Sequence, residues 1–158
     1  MTSLRDEIGQ TRPFAHAAEE AFLNVWRTAE VLVYAVNEAL APHGLTLTQY
    51  NALRIVRGAG TEGLTCAEIR GRTVAVAPDV TRLLDRLTQL GLIARERGTT
   101  DRRVVTTRLT PAGRRLVEAL DQPMAELLRR RLAGLTDDEL RQLTRLLERT
   151  RPEPTATH

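Results

Sequence analysis

The stretch from Thr65 to Gly91 constrains the fold more tightly than any other part of the chain. Thr65-Cys66-Ala67-Glu68 reads as a capping box, in which the threonine hydroxyl satisfies the third helical amide and the glutamate reaches back. It opens a short helix through about Arg72. A few residues on, Pro78 stands where a first helical turn tolerates proline, and Val80, Leu83, Leu84, Leu87 and Leu90 recur with helical spacing. A second helix is therefore expected from about Ala77 to Leu90, stopped by Gly91. Two consecutive helices joined by a short turn, the second apolar on one side only, form the helix-turn-helix pattern.

On a helical wheel the apolar stripe of that second helix centres near Leu87. Pro78, Arg82, Asp85 and Gln89 then point directly outward, with Thr81 and Arg86 on the flanks. Arginine can bind guanine O6 and N7 together, and threonine can offer a hydroxyl or press its methyl on thymine. After Gly91, Leu92 to Arg97 and Val104 to Leu109 are two β-favouring runs joined by Gly98-Thr99-Thr100-Asp101-Arg102-Arg103. A ribbon with an arginine-bearing tip beside such a helix is a wing, and guanidinium groups suit the negative potential of a narrow minor groove.

The rest of the chain reads as helical. Residues 15–41 are free of Gly and Pro and repeat Phe22, Trp26, Ala29, Val33, Val36 and Leu40 at spacings of three and four. A helix that long in a chain this short usually packs on something beyond its own domain. Pro42 and Gly44 end it. Thr46-Leu47-Thr48-Gln49 caps the next helix, which runs to about Arg57 with Tyr50, Leu53 and Val56 inward. Thr110-Pro111 starts a helix reaching about Ala133, with a kink expected at Pro123. Thr136-Asp137-Asp138-Glu139 caps a last one, with Leu140, Leu143, Leu146 and Leu147 as its seam. The expected fold is mainly α with a small β-hairpin wing. It divides into an N-terminal helix (1–45), a winged helix-turn-helix lobe (46–110), C-terminal helices (111–150) and a disordered tail (151–158).

Charge singles out the middle of this arrangement. All 23 basic residues are arginine, so the net charge of +3 rests on guanidinium groups that stay protonated at any biological pH. Residues 64–115 hold 11 Arg against 5 acids, whereas the remainder is net acidic. Such a block suits a polyanion. The aromatics Phe14, Phe22, Trp26, Tyr34 and Tyr50 all lie outside it, so the ring platforms on which single-stranded bases stack are missing there. Double-stranded DNA is the expected partner. No apolar run approaches the ~20 residues of a membrane helix, and residues 1–10 lack the apolar core of an export signal. A cytoplasmic location without membrane association is the expectation.

The run Asp79-Val80-Thr81-Arg82-Leu83-Leu84-Asp85-Arg86-Leu87, followed by Gly91-Leu92-Ile93, Asp101-Arg102-Arg103 and Leu109-Thr110-Pro111-Ala112-Gly113, resembles the MarR family of bacterial winged-helix transcriptional regulators. His43-Gly44-Leu45-Thr46 also fits, so the likeness covers residues 15–150. The resemblance implies an obligate homodimer with interlocked terminal helices, each subunit presenting one winged helix to half of a palindromic operator. It implies that Thr81, Arg82 and Arg86, with Asp79 and Gln89 beside them, face the major groove. Arg103 and Arg102 would enter the minor groove, with Asp101 bracing a wing arginine. It further implies repression relieved by a small, aromatic or phenolic effector, for which Trp26, Tyr34 and Tyr50 are candidate pocket walls. Two departures stand out. Val76 and Ala77 occupy positions where the family often carries a capping Ser or Asn, and Asp79 adds an acid that could accept from cytosine N4, suit the helix dipole or weaken binding.

Other chemistry is thinly represented. Cys66, at the first helical position after Thr65, is a candidate redox residue, because free amides there can stabilise a thiolate; a small packed hydrophobe is the plainer reading. His16 and Glu20 lie one turn apart and His43 follows, but three histidines and one cysteine make a poor metal set, and neither metal nor cofactor is expected. No phosphate loop or nucleophile set points to an enzyme. A redox-responsive regulator using Cys66 and a winged helix serving protein–protein assembly remain as alternatives.

Overall fold

The computed structural model describes residues 2–75, 79–97 and 104–151. After a short α1 (Leu4–Glu7), α2 spans Ala17–Leu40 and ends in a 3₁₀ turn, Ala41–His43. Then come α3 (Leu47–Gly58), β1 (Leu64–Thr65), α4 (Cys66–Arg72), α5 (Val80–Gln89), β2 (Ile93–Arg97), β3 (Val105–Leu109), α6 (Pro111–Arg131) and α7 (Asp137–Arg149). The mainly helical, winged architecture expected from the sequence is present. Two compact units are distinguished, Met1–Met124 and Ala125–His158.

Local chemistry fixes where the elements begin. Thr46, Thr65 and Thr136 each accept from the third helical amide while Gln49, Glu68 and Glu139 bond back, so all three expected capping boxes form. α5 departs from expectation. It starts at Val80, and Asp79 is its N-cap, accepting from the Arg82 amide at 3.0 Å. Of the three roles open to Asp79, the helix start engages it in the one that complements the dipole. Val76, Ala77 and Pro78 lie outside the described residues, as do the wing residues Asp101, Arg102 and Arg103 and residues 152–158.

The sheet has three antiparallel strands in the order β1-β3-β2. The sequence indicates only the β2–β3 ribbon, with Ile93 opposite Leu109 and Arg97 opposite Val105. The third strand is the two-residue β1, which pairs Leu64 with Thr107 and Thr65 with Thr106. Gly63 permits that pairing: its φ is 72°, and a Cβ there would lie 2.6 Å from the Thr107 carbonyl oxygen.

The core of the first unit draws its fully buried side chains from nearly every element: Leu40 of α2, Leu53 and Val56 of α3, Ile69 of α4, Val80, Leu84 and Leu87 of α5, and Val117 and Leu120 of α6. A polar clasp closes it. The Thr110 amide donates to the Leu92 carbonyl at 3.0 Å and its hydroxyl to the Gly91 carbonyl at 2.7 Å. The same hydroxyl oxygen accepts from the Gly113 amide at 3.0 Å. Any side chain at Gly113 would run into the Leu92 carbonyl. The Leu-Thr-Pro-x-Gly motif thus ties the end of α5 to the start of α6.

Burial on α2 is uneven. Ala35, Val36 and Leu40 are buried, but Phe22, Val25, Trp26, Val33 and Tyr34 are exposed, with Trp26 and Phe22 rings 6.0 Å apart. In the second unit α7 leaves Leu143, Leu146 and Leu147 exposed. Among the described residues no helix is long and apolar enough to cross a membrane.

Candidate nucleic-acid interface

α5 buries Val80, Leu84 and Leu87 and turns Thr81, Arg82, Asp85, Arg86 and Gln89 to solvent. That orientation follows from the apolar stripe: rotating the helix would expose three side chains that are almost fully out of water, each worth roughly 1.5–3 kcal/mol. Arg82 and Arg86 therefore line an open groove of about 830 Å³ with Asp79, Leu83, Asp85 and Gln89. Thr48 and Gln49 from the first turn of α3, and Ala75, complete it. The α3 pair was singled out in the sequence only as part of a cap; its position across the groove depends on the packing of α3 against the rest of the unit.

The electrostatics of this face are set by what the acids do. Asp79 and Asp85 are the acids near enough in sequence to pair with Arg82 and Arg86. Asp79 is instead engaged in capping, and Asp85 accepts from Arg95 Nη1 of β2 at 2.7 Å. Among the described residues neither Arg82 nor Arg86 has a carboxylate within salt-bridge distance. Arg86 reaches the Gln89 carboxamide oxygen at 3.5 Å. Among the described residues the exposed helix face thus presents two guanidinium groups without a carboxylate partner. The Arg95–Asp85 pair also joins α5 to β2. Further along, Arg108 of β3 donates to Glu96 at 2.9 Å and to the Thr61 carbonyl at 2.6 Å.

The three rings expected to wall one effector pocket lie in three surroundings. Tyr50 is 5 % exposed and packed in the core, where burial pushes its phenol pKa up. Trp26 lines a shallow cleft of about 390 Å³ with Leu4, Ile8 and Leu23, and Tyr34 is exposed. An amphipathic helix wheel cannot distinguish a ring facing a cavity from one facing outward. A different cleft, of about 650 Å³, opens between the end of α2, the start of α3 and Val74–Ala75. Its walls are mainly aliphatic, with Asn37, Glu38 and Asn51 among its polar side chains. Asn37 Oδ1 accepts from the Leu47 amide at 2.8 Å and Asn51 Oδ1 from the Val74 amide at 3.5 Å, so their oxygens hold the walls together. Thr48 and Ala75 line both this cleft and the α5 groove.

Cys66 is half-buried in the first turn of α4, whose cap is formed by Thr65 and Glu68. Hydrogen bonds from the Thr65 amide and hydroxyl hold the Glu68 carboxyl below its ordinary pKa, so a negative charge already sits at that helix end. His16 is the N-cap position of α2 and makes no side-chain capping bond.

Similarity to known proteins agrees with this geometry. A MarR family profile matches residues 43–104. An HTH-type transcriptional repressor of Mycobacterium tuberculosis is 32% identical over 126 residues, 79% of this chain and 88% of that protein. A crystal structure of a MarR transcription factor from Planctomyces limnophilus superposes with a TM-score of 0.67 at 39% identity, over 86% of this chain and 98% of that one. BpsR of Bordetella bronchiseptica, whose DNA binding is regulated by 6-hydroxynicotinic acid, superposes with a TM-score of 0.74 at 27% identity, over 87% and 96%. The fold and the groove define a winged-helix transcriptional regulator. The chain belongs to the MarR family.

Proposed function

We propose that the protein is a homodimeric repressor whose two α5 helices read the halves of a palindromic duplex operator, and which releases DNA when a small molecule fills the cleft between α2 and α3. The observation that carries this reading is the exposed α5 face, where among the described residues Arg82 and Arg86 have no carboxylate partner, Asp79 and Asp85 being held elsewhere. Thr81 and Leu83 add groups able to contact a base edge or a thymine methyl, and Gln89 a carboxamide. Arg102 and Arg103, braced by Asp101, would follow the minor groove.

Dimerisation is supported by apolar surface without cover among the described residues: Phe22, Val25 and Trp26 on α2, and Leu143, Leu146 and Leu147 on α7. Exposed apolar side chains in such numbers mark an interface. Ligand release is supported by the wall that the cleft and the groove share at Thr48 and Ala75, since an occupant pressing on it would move the α3 end of the DNA-facing surface. Repression follows the mycobacterial relative.

Retention of genomic fragments by the purified protein, followed by sequencing, tests the proposal. A short inverted repeat should be enriched, and Arg82→Ala and Arg86→Ala should each lower the salt-dependence slope by about one. Retention no better than that of random competitor at moderate ionic strength would overturn it.

A further inference from the structure

The cleft between α2 and α3 has a charge character that selects its occupant. Its aliphatic walls come from Val33, Ala41, Leu45, Leu47, Val74 and Ala75, and its volume of about 650 Å³ suits a molecule of drug size. Among the described residues its one charged lining group is Glu38. Glu38 has no basic partner within salt-bridge distance among those residues, so its carboxylate is available to a ligand. Asn37 and Asn51 spend their oxygens on the Leu47 and Val74 amides, which leaves their NH₂ groups as donors.

On the other side of Thr48 and Ala75 the groove carries Arg82 and Arg86 beside Asp79, which caps α5, and Asp85, which pairs with Arg95. An aromatic carboxylate would meet a like charge in the cleft and guanidinium groups in the groove. We infer that the α2–α3 cleft takes a cationic amphiphile, an apolar body bearing a protonated amine that pairs with Glu38 and an acceptor that meets Asn37 or Asn51. This rests on the cleft being the effector site, and it sets the chain apart from a relative governed by 6-hydroxynicotinic acid, which carries a carboxyl group.

The test uses three compounds of one shape and different charge: 2-naphthylmethylamine, protonated at pH 7, 2-naphthylmethanol and 2-naphthylacetate. Each is titrated calorimetrically into the full chain, into Glu38→Gln and into Ala41→Trp, which fills the cleft from an exposed position; thermal melts verify folding. The amine should bind the unaltered protein about fivefold tighter than the alcohol, with the acetate weakest. Glu38→Gln should erase the amine's advantage while leaving the alcohol unchanged, and Ala41→Trp should weaken all three. If Ala41→Trp does not fold, Glu38→Gln alone decides the charge preference. Equal binding of the three, tightest binding of the acetate, or an advantage that survives Glu38→Gln would overturn the inference while sparing the cleft as effector site. No binding by any compound, or binding indifferent to Ala41→Trp, would overturn both, and genomic DNA retention would still report separately on operator recognition.

Discussion

Arg57 of α3 grips Asp121 of α6 through two parallel hydrogen bonds, Nη1 to Oδ2 at 2.6 Å and Nη2 to Oδ1 at 3.0 Å. The pair bridges residues 64 positions apart and stands beside Tyr50, over whose ring Arg54 lies at 5.8 Å. It fixes the helix that leads from the wing against the helix whose first turn borders the groove. The planar fork is matched to a carboxylate, yet the Asp121 side chain is 46% exposed, so solvent screens the pair. A double-mutant cycle with Arg57→Met and Asp121→Asn should give a coupling of about 0.5–1 kcal/mol in urea unfolding. Additivity within error would reduce the pair to a surface contact without consequence.

Acid should unfold the protein through a few identifiable carboxyls. The Arg57 hydrogen bond holds Asp121 below the ordinary 3.8, and bonds from Thr65 and Thr136 hold Glu68 and Glu139 below 4.5. A carboxyl with a depressed folded pKa contributes stability above its unfolded pKa, and that contribution is lost as pH falls through the folded value. Stability should therefore be level from neutral pH down to about 5 and decline below it. Tyr50 sets the opposite limb: burial raises its pKa above 10.0, so stability should fall as pH rises beyond that value. Denaturation midpoints across pH check both limbs, and Asp121→Asn should flatten part of the acid one.

Two glycines in helices should respond oppositely to alanine. At Gly113 the new Cβ would strike the Leu92 carbonyl, backbone that the Thr110 amide already holds. Gly113→Ala should cost more than about 3 kcal/mol or prevent folding, since neither side can yield without opening the clasp. Gly71, near the end of α4, has nothing within 4 Å of where a Cβ would lie. Gly71→Ala should stabilise by about 0.5–1 kcal/mol through a less free unfolded chain. Thermal melts of the two variants give the comparison directly.

What was legible in the sequence was what short-range chemistry encodes. The capping boxes at Thr46, Thr65 and Thr136 and the stripe through Val80, Leu84 and Leu87 are local patterns with one physical solution each. The sequence places the start of α5 near Ala77 and the structure at Val80, because Pro78 and Asp79 are both helix-start residues and only the backbone shows which is used. β1 has two residues, too few for any alternation to register. Arg57–Asp121 and Arg95–Asp85 join elements that no sequence period relates. The cleft between α2 and α3 has no local signature, because its aliphatic, carboxamide and Glu38 side chains are brought together from α2, α3 and Val74–Ala75.

The Arg95–Asp85 pair yields a prediction about recognition rather than stability. Asp85 projects from the outward face of α5 into the groove that Arg82 and Arg86 line, where an unpaired carboxylate would repel phosphate. Arg95, 29% exposed in its side chain, neutralises it from β2. Arg95→Met should weaken duplex binding by about 1 kcal/mol, roughly fivefold, at low salt. Two causes would give that loss. If Arg95 acts by masking Asp85, then Asp85→Asn combined with Arg95→Met should restore affinity, with the salt slope unchanged throughout. If Arg95 itself contacts phosphate, the slope should fall by about one and the second substitution should not rescue it. Affinities for an enriched genomic duplex over a salt series separate the two, and the masking role is rejected should the double variant bind no better than Arg95→Met alone.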